Sequence, residues 1–140
     1  MGESMLANFR LLIVEDDEEV LESICFALRD CVEFIFTARN GIEGLEIYEK
    51  ESGNFTCIMT DIRMPFMNGL DFIEKVRQVD ENVPFLVVSA FDDEKYMNRS
   101  HELHAFEFIY KPYDIWEIQE CLETIHGNKL ESLNKRVSGF

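Results

Sequence analysis

An α/β domain built on a parallel, doubly wound sheet is the fold class this sequence predicts. Three observations carry the prediction. Strand-like and helix-like segments alternate from residue 9 to about residue 125. The strand-like segments are short and apolar, the pattern of strands buried on both faces. Five strand–helix units in about 120 residues leave few topologies once crossovers are right-handed.

Phe9 to Val14 is the first apolar run, broken only by Arg10. Val20, Leu21, Ile24, Ala27 and Leu28 then follow helical spacing, with Asp16 or Asp17 placed to cap the start. Val32, Phe34 and Phe36 alternate as in a strand. Asn40-Gly41 marks a turn. Ile42, Leu45 and Tyr48 resume a helical period until Ser52-Gly53-Asn54 stops it. Phe55 to Thr60 is the third strand, and Leu70, Ile73 and Val76 trace the third helix. Pro84 opens the fourth strand, Phe85 to Ser89, at a position where a missing N–H is tolerated. Asp92 to Leu103 reads as a helix with a weak apolar face. Ala105 to Tyr110 is the fifth strand, and Ile115, Ile118, Leu122 and Ile125 mark the fifth helix. Beyond it, Leu130, Leu133 and Val137 either carry the helix past Gly127-Asn128 or belong to a fraying tail. The expected organisation is an extension over residues 1–8, one domain over 9–125, and a tail or linker start over 126–140.

A chain of 140 residues with 46% apolar content suits one globular domain with one core. Its net charge of −15 opposes binding to a duplex phosphate backbone and to an anionic membrane surface. The four cysteines, Cys25, Cys31, Cys57 and Cys121, have neither a C-x-x-C pair nor zinc-like spacing. Reduced thiols in a cytoplasmic protein account for them. The N-terminus lacks the basic start and apolar stretch of a signal peptide, and no apolar run reaches the length of a membrane span. His101 and His104 stand three apart, but no Cys or Glu completes a ligand set in register, so they read as surface histidines.

The chemistry lies where the strands end. Glu15 and Asp16 follow the first run, Asp61 the third, Ser89 ends the fourth, and Lys111 follows the fifth. In an open α/β sheet these carboxyl ends are where sites form. Clustered carboxylates repel one another unless a cation joins them. Mg²⁺ suits oxygen ligands and keeps room for water and phosphate. A lysine beside such a cluster suits a phosphoryl oxygen. The Glu-Asp-Asp-Glu-Glu run also suits the start of a helix, and its residues divide: Asp17, Glu18 and Glu19 for the helix, Glu15 and Asp16 for the metal.

These residues resemble the receiver domain of two-component response regulators. Val14-Glu15-Asp16-Asp17 is similar to that family's acidic pair, and Thr60 to Gly69 (TDIRMPFMNG) to its phosphoacceptor segment. Val88-Ser89-Ala90 matches its hydroxyl position and Tyr110-Lys111-Pro112 its lysine–proline step. The resemblance covers roughly Arg10 to Ile125 and implies a flavodoxin-like sheet of strand order 2-1-3-4-5. It implies that Asp61 accepts a phosphoryl group from a histidine kinase or phosphotransfer protein. Asp16, Asp61 and the backbone carbonyl of Arg63 would hold Mg²⁺, with Glu15 holding a water on it. Ser89 and Lys111 would bind phosphoryl oxygens. It further implies a switch in which Ser89 moves toward the phosphoryl group and Phe108 turns inward. The commoner residue at the latter position is Tyr, so a switch through Phe acts by packing alone. The fourth helix, fifth strand and fifth helix would carry the readout to a protein target or output domain, with a phosphorylation-dependent homodimer as one form. Arg63 and Phe91 would flank the phosphoryl group and limit the approach of water. Phe66 and Met67 would be exposed for kinase recognition.

The resemblance implies a signalling domain that catalyses only its own phosphorylation and dephosphorylation. A Mg²⁺-dependent phosphatase with an aspartyl nucleophile would want a second acid two residues after Asp61, where Arg63 stands. A degenerate receiver used only for docking would lack an acid or the lysine, and neither is missing. A flavin-binding flavodoxin would want a hydroxyl- and glycine-rich loop in place of Glu15-Asp16-Asp17.

Overall fold

The computed structural model describes residues 5–90 and 94–138. Five strands and five helices alternate: β1 (Leu6–Val14), α1 (Glu18–Leu28), β2 (Val32–Ala38), α2 (Gly41–Lys50), β3 (Cys57–Asp61), α3 (Gly69–Arg77), β4 (Phe85–Ser89), α4 (Glu94–Glu102), β5 (Glu107–Tyr110) and α5 (Ile115–Ser138). All strand pairs are parallel, in the order β2-β1-β3-β4-β5. This is the expected doubly wound, flavodoxin-like sheet.

The period-2 geometry of a strand divides the apolar runs between two cores. Phe9, Leu11 and Ile13 of β1, Cys57 and Met59 of β3, and Leu86 and Val88 of β4 face α1 and α5, meeting Leu21, Ile24, Ile118 and Leu122. Leu12, Val14, Ile58, Phe85 and Val87 face the other way, against Tyr48 of α2 and Leu70, Ile73 and Val76 of α3. Neither face of the central strands reaches water, so a continuous apolar run, not an alternating one, encodes them.

Arg10, the break in the first run, is accommodated rather than expelled. Its Nη2 meets Glu51 at 2.6 Å, its Nε donates to the Asn54 carbonyl at 2.7 Å, and its guanidinium lies 4.6 Å from the Phe36 ring centre. It thereby ties β1 to β2 and to the end of α2.

Several boundaries differ from the sequence expectation. β1 begins at Leu6, ahead of Phe9, because Leu6 N–H donates to the Cys31 carbonyl at 2.7 Å across an irregularity at Asn8, whose φ is 61°. The ladder of β3 starts at Cys57, two residues after Phe55, and that of β5 at Glu107, two after Ala105. Ahead of β3, Phe55 and Thr56 are already buried, whereas ahead of β5 Ala105 is half-buried and Phe106 exposed. α4 has the weak apolar face that its sequence suggests, with Ser100 its sole buried residue. Its attachment is partly ionic, through Arg99 Nη2 at 2.7 Å from Asp71 and 3.2 Å from Glu74. α5 continues through Gly127-Asn128 to Ser138, and the tail is helical. A ring nitrogen of His126 lies 3.2 Å from the Ala7 carbonyl, tying α5 to the start of β1. Among the described residues no helix is long and apolar enough to cross a membrane. The four cysteines are free thiols.

Candidate functional site

The carboxyl ends of β1, β3, β4 and β5 converge because the register aligns them. Val14 pairs with Thr60, Asp61 with Val88, and Ser89 with Tyr110. The residues next along the chain therefore rim one depression. Glu15, Asp16 and Asp61 each offer a carboxylate oxygen there, and these atoms all lie within 4.8 Å of one another. Lys111 Nζ reaches in from the end of β5, 2.5 Å from Asp61 Oδ2 and 3.8 Å from Glu15 Oε1. Ser89 is buried, and its carbonyl accepts the Lys111 N–H at 2.8 Å. The Lys111–Pro112 peptide is cis.

The loop after β1 separates two jobs. Asp17 caps α1, its side chain accepting from the N–H groups of Glu19 at 3.0 Å and Val20 at 3.2 Å. Glu15 and Asp16 are left to face the depression. The Glu15 carboxylate is buried and is held by the Asp17 N–H at 3.0 Å. Burial pushes its pKa up to about 7; the Asp61 charge adds to the shift, while the Asp17 N–H and Lys111 oppose it. Burial alone would lower the pKa of the Lys111 ammonium, but the hydrogen bond and charge of Asp61, with Glu15 and Tyr113, bring it above its ordinary value. The site holds more negative charge than its one lysine answers.

The loop after β3 is fixed to the same site. Asp61 Oδ1 accepts the Ile62 N–H at 2.7 Å, and the Thr60 hydroxyl donates to the Asp61 carbonyl at 2.8 Å. Gly69 N–H donates to the Ile62 carbonyl at 2.8 Å, closing the loop. A Cβ on Gly69 would collide with the Asp61 carbonyl oxygen, so glycine is required where the chain folds back. Asn68 caps α3 through the Asp71 N–H at 2.9 Å.

Of the residues singled out from sequence, Glu15, Asp16, Asp61 and Lys111 come together. Arg63 is an exposed residue of the loop after β3. Phe108 is half-buried on β5, its ring centre 5.2 Å from that of Tyr110, whose hydroxyl donates to Met97 Sδ of α4 at 2.8 Å. Phe66 is exposed, whereas Met67 is half-buried against Gly41 of α2. Phe91 lies outside the described residues. His101 and His104 are exposed, and among the described residues they enter no group of three or more side chains able to share a metal ion.

Three residues at the site were given no role there by the sequence. Thr60 fixes the Asp61 backbone, and Tyr113 lies close enough for its charge to couple to Glu15, Asp61 and Lys111. Arg39, at the end of β2, donates from Nη2 to the Asp16 carbonyl at 3.2 Å. Thr60 had a local signal, as the residue before the acid in the acceptor segment. Arg39 had none, since it acts across 23 residues.

Residues 11–123 match the response regulator receiver domain family. The chain is 30% identical over 120 residues to the chemotaxis protein CheY of Treponema pallidum, covering 85% of this chain and 83% of that protein. It spans about half the length of two Staphylococcus epidermidis response regulatory proteins that it also matches. Among solved structures it is similar to the N-terminal domain of a Wolinella succinogenes protein, with a TM-score of 0.83 and 29% identity over 89% of this chain and 98% of that one. The non-phosphorylated HemR receiver domain of Leptospira biflexa is similar at a TM-score of 0.77 and 31% identity, over 85% of this chain and 94% of that one. The chain therefore belongs to the receiver domain family of response regulators, the phosphorylation-controlled signalling domains of two-component systems.

Proposed function

We propose that Asp61 accepts a phosphoryl group from a phosphohistidine on a partner kinase or phosphotransfer protein. The observation that carries the reading is the convergence of Glu15, Asp16 and Asp61 within 4.8 Å, with one lysine against Asp61. A carboxylate oxygen of Asp61 attacks phosphorus; an acyl–phosphate O–P bond forms, the P–N bond of the donor breaks, and its electron pair returns to the imidazole. Such transfer depends mostly on positioning and neutralised charge.

The donor set fits a hard divalent cation: closely spaced carboxylates, one with a pKa raised by burial, at an open end of the sheet. Asp16, Asp61 and the Arg63 carbonyl would hold Mg²⁺, with Glu15 behind them through water. Bound there, the ion would offset the excess negative charge and receive phosphoryl oxygens. Lys111, already paired with Asp61, would follow the new negative charge outward, and the Ser89 hydroxyl would bind another oxygen. Ser89 and Lys111 are linked through the backbone at 2.8 Å, so movement at one is felt at the other.

The readout in this reading is the α4–β5–α5 surface. Phe108 turning toward the space vacated by Ser89 would part from the Tyr110 ring, and Tyr110 touches α4 through Met97. A downstream protein or output domain would read that change, and a homodimer through the same face is one form it would take. The long Arg63 beside the site would slow hydrolysis by restricting water.

The test is incubation with acetyl phosphate and Mg²⁺. One phosphoryl group, labile to hydroxylamine, is expected on the wild type, and none on Asp61→Asn, whose amide has the same shape but is a poor nucleophile. Equal labelling of Asp61→Asn would refute the assignment.

A further inference from the structure

Phe66 stands five residues after Asp61, and its ring is 84% exposed. It is also the strained residue of its loop. Met67 N–H donates to the Pro65 carbonyl at 2.8 Å, closing a three-residue turn in which Phe66 has φ 72°. A residue with a Cβ adopts that conformation at a cost, and glycine would not. The rest of the loop is pinned. Ile62 is buried, Met67 packs on Gly41, Asn68 caps α3, and Gly69 bonds back to Ile62. A pinned, strained turn thus presents one aromatic ring to solvent in the loop that follows Asp61.

Resting on the phosphoacceptor reading of Asp61, we propose that Phe66 is the apolar anchor on which a protein phosphodonor seats while it presents its phosphohistidine. Two arguments select that occupant. The loop leads directly away from Asp61, so a macromolecule bringing a side chain to that carboxylate must cover it. The acids around Asp61 largely cancel what a bound cation and Lys111 offer an anionic phosphoryl group at long range, so apolar contact nearby supplies affinity that charge does not. An aromatic ring on a fixed turn suits this, because little freedom is lost on docking. Strain at an exposed position is a cost without return inside the domain itself. A small phosphodonor, with no surface to lay on the loop, would not need the ring.

The experiment compares two donors on the intact chain. One is acetyl phosphate; the other is an autophosphorylated histidine kinase, chosen as the fastest donor to the wild type from a panel. Phe66→Ala is expected to keep its acetyl phosphate rate within about twofold and to lose about tenfold in kcat/KM with the kinase, through KM. Phe66→Tyr should retain most of the kinase rate. Phe66→Gly should melt at or above the wild-type temperature yet transfer as poorly as Phe66→Ala, which separates docking from stability. Unchanged kinase transfer in Phe66→Ala, or an equal slowing with both donors, would overturn the proposal while leaving Asp61 as the acceptor. A wild type that neither donor labels would overturn both.

Discussion

Charge is handled in opposite ways at the two ends of the sheet. At the amino end, half-buried arginines are fully answered. Arg10 has Glu51, the Asn54 carbonyl and an aromatic ring. Arg77 donates to the carbonyls of Leu103 at 2.7 Å and of His104 and Asp80 at 3.2 Å, with its guanidinium 4.9 Å from the Phe85 ring centre. At the carboxyl end three carboxylates share one lysine, and one of them is buried. Balanced charge stitches strands and helices together, whereas unbalanced charge raises the energy of the resting state and leaves room for a ligand to lower it. The same substitution chemistry should therefore have opposite consequences at the two ends.

The largest expected effect of a single substitution at fixed pH lies at the amino end. Arg10→Ala removes an ion pair, a charged hydrogen bond and the packing of a long stem, and strands the Glu51 carboxylate and the Asn54 carbonyl. We expect a loss of roughly 2–3 kcal/mol in urea denaturation. Labelling by acetyl phosphate should be unchanged in the folded protein, since Arg10 is remote from Asp61. A loss below about 0.5 kcal/mol would mean that the cluster is ornamental and that the contrast between the ends fails.

The next effect is a pH dependence at the carboxyl end. The Glu15 pKa is raised from about 4.5 to about 7 in the folded, metal-free protein. The fold therefore holds that proton more tightly than the unfolded chain does. Its contribution is fully present below about pH 4.5 and is lost as pH rises through about 7. The full swing is on the order of 3 kcal/mol, shared with the coupled charges of Asp61 and Lys111. Denaturation between pH 4.5 and 7.5 should show this decline in the wild type and a flatter curve in Glu15→Gln. Mg²⁺ should flatten the wild-type curve as well, by favouring the ionised form. Equal slopes in wild type and Glu15→Gln would remove Glu15 as the cause.

What the sequence made legible follows the same division. The acids and the lysine stood out because each ends an apolar run, and parallel strands bring such ends together. The strands themselves were legible since Leu11 to Val14 and Phe85 to Val88 are buried on both faces. The partners that position the site were not. Arg39 reaches the Asp16 carbonyl across 23 residues, and Arg77 reaches Leu103 across 26; neither spacing has a local period. Leu6 was missed as the start of β1 because Asn8 interrupts the apolar pattern where the ladder is irregular. Gly127 read as a possible stop, yet a Cβ there would meet nothing within 4 Å, so no tertiary contact opposes the helix that runs through it.

A smaller effect should have the opposite sign to that of Arg10→Ala. Asp16→Ala removes one of the converging carboxylates at little packing cost, since Asp16 is only half-buried. We expect the metal-free protein to gain up to about 1 kcal/mol as repulsion is relieved. Mg²⁺ at ten times its dissociation constant should stabilise the wild type by about 1.4 kcal/mol, read as a higher melting temperature, and Asp16→Ala should not respond. An unchanged Mg²⁺ titration in Asp16→Ala would place the ion elsewhere.

The smallest thermodynamic effect belongs to Ser89, and it sharpens the contrast further. Its side chain is buried at the carboxyl end, but its carbonyl already holds the Lys111 N–H, and that bond survives substitution. Ser89→Ala should shift stability by no more than about 1 kcal/mol and still accept a phosphoryl group from acetyl phosphate. What should fail is transmission. The hydroxyl is the group through which new charge on Asp61 would draw β4 inward and free the space for Phe108. Beryllofluoride with Mg²⁺ supplies a stable phosphoryl mimic, and amide shifts report the response. In the wild type, shifts should change at Tyr96, Met97, Phe108 and Tyr110; in Ser89→Ala they should stay confined to the neighbours of Asp61. Identical changes at Phe108 and Met97 in both proteins would show that charge reaches α4 by another route, through Lys111 and β5.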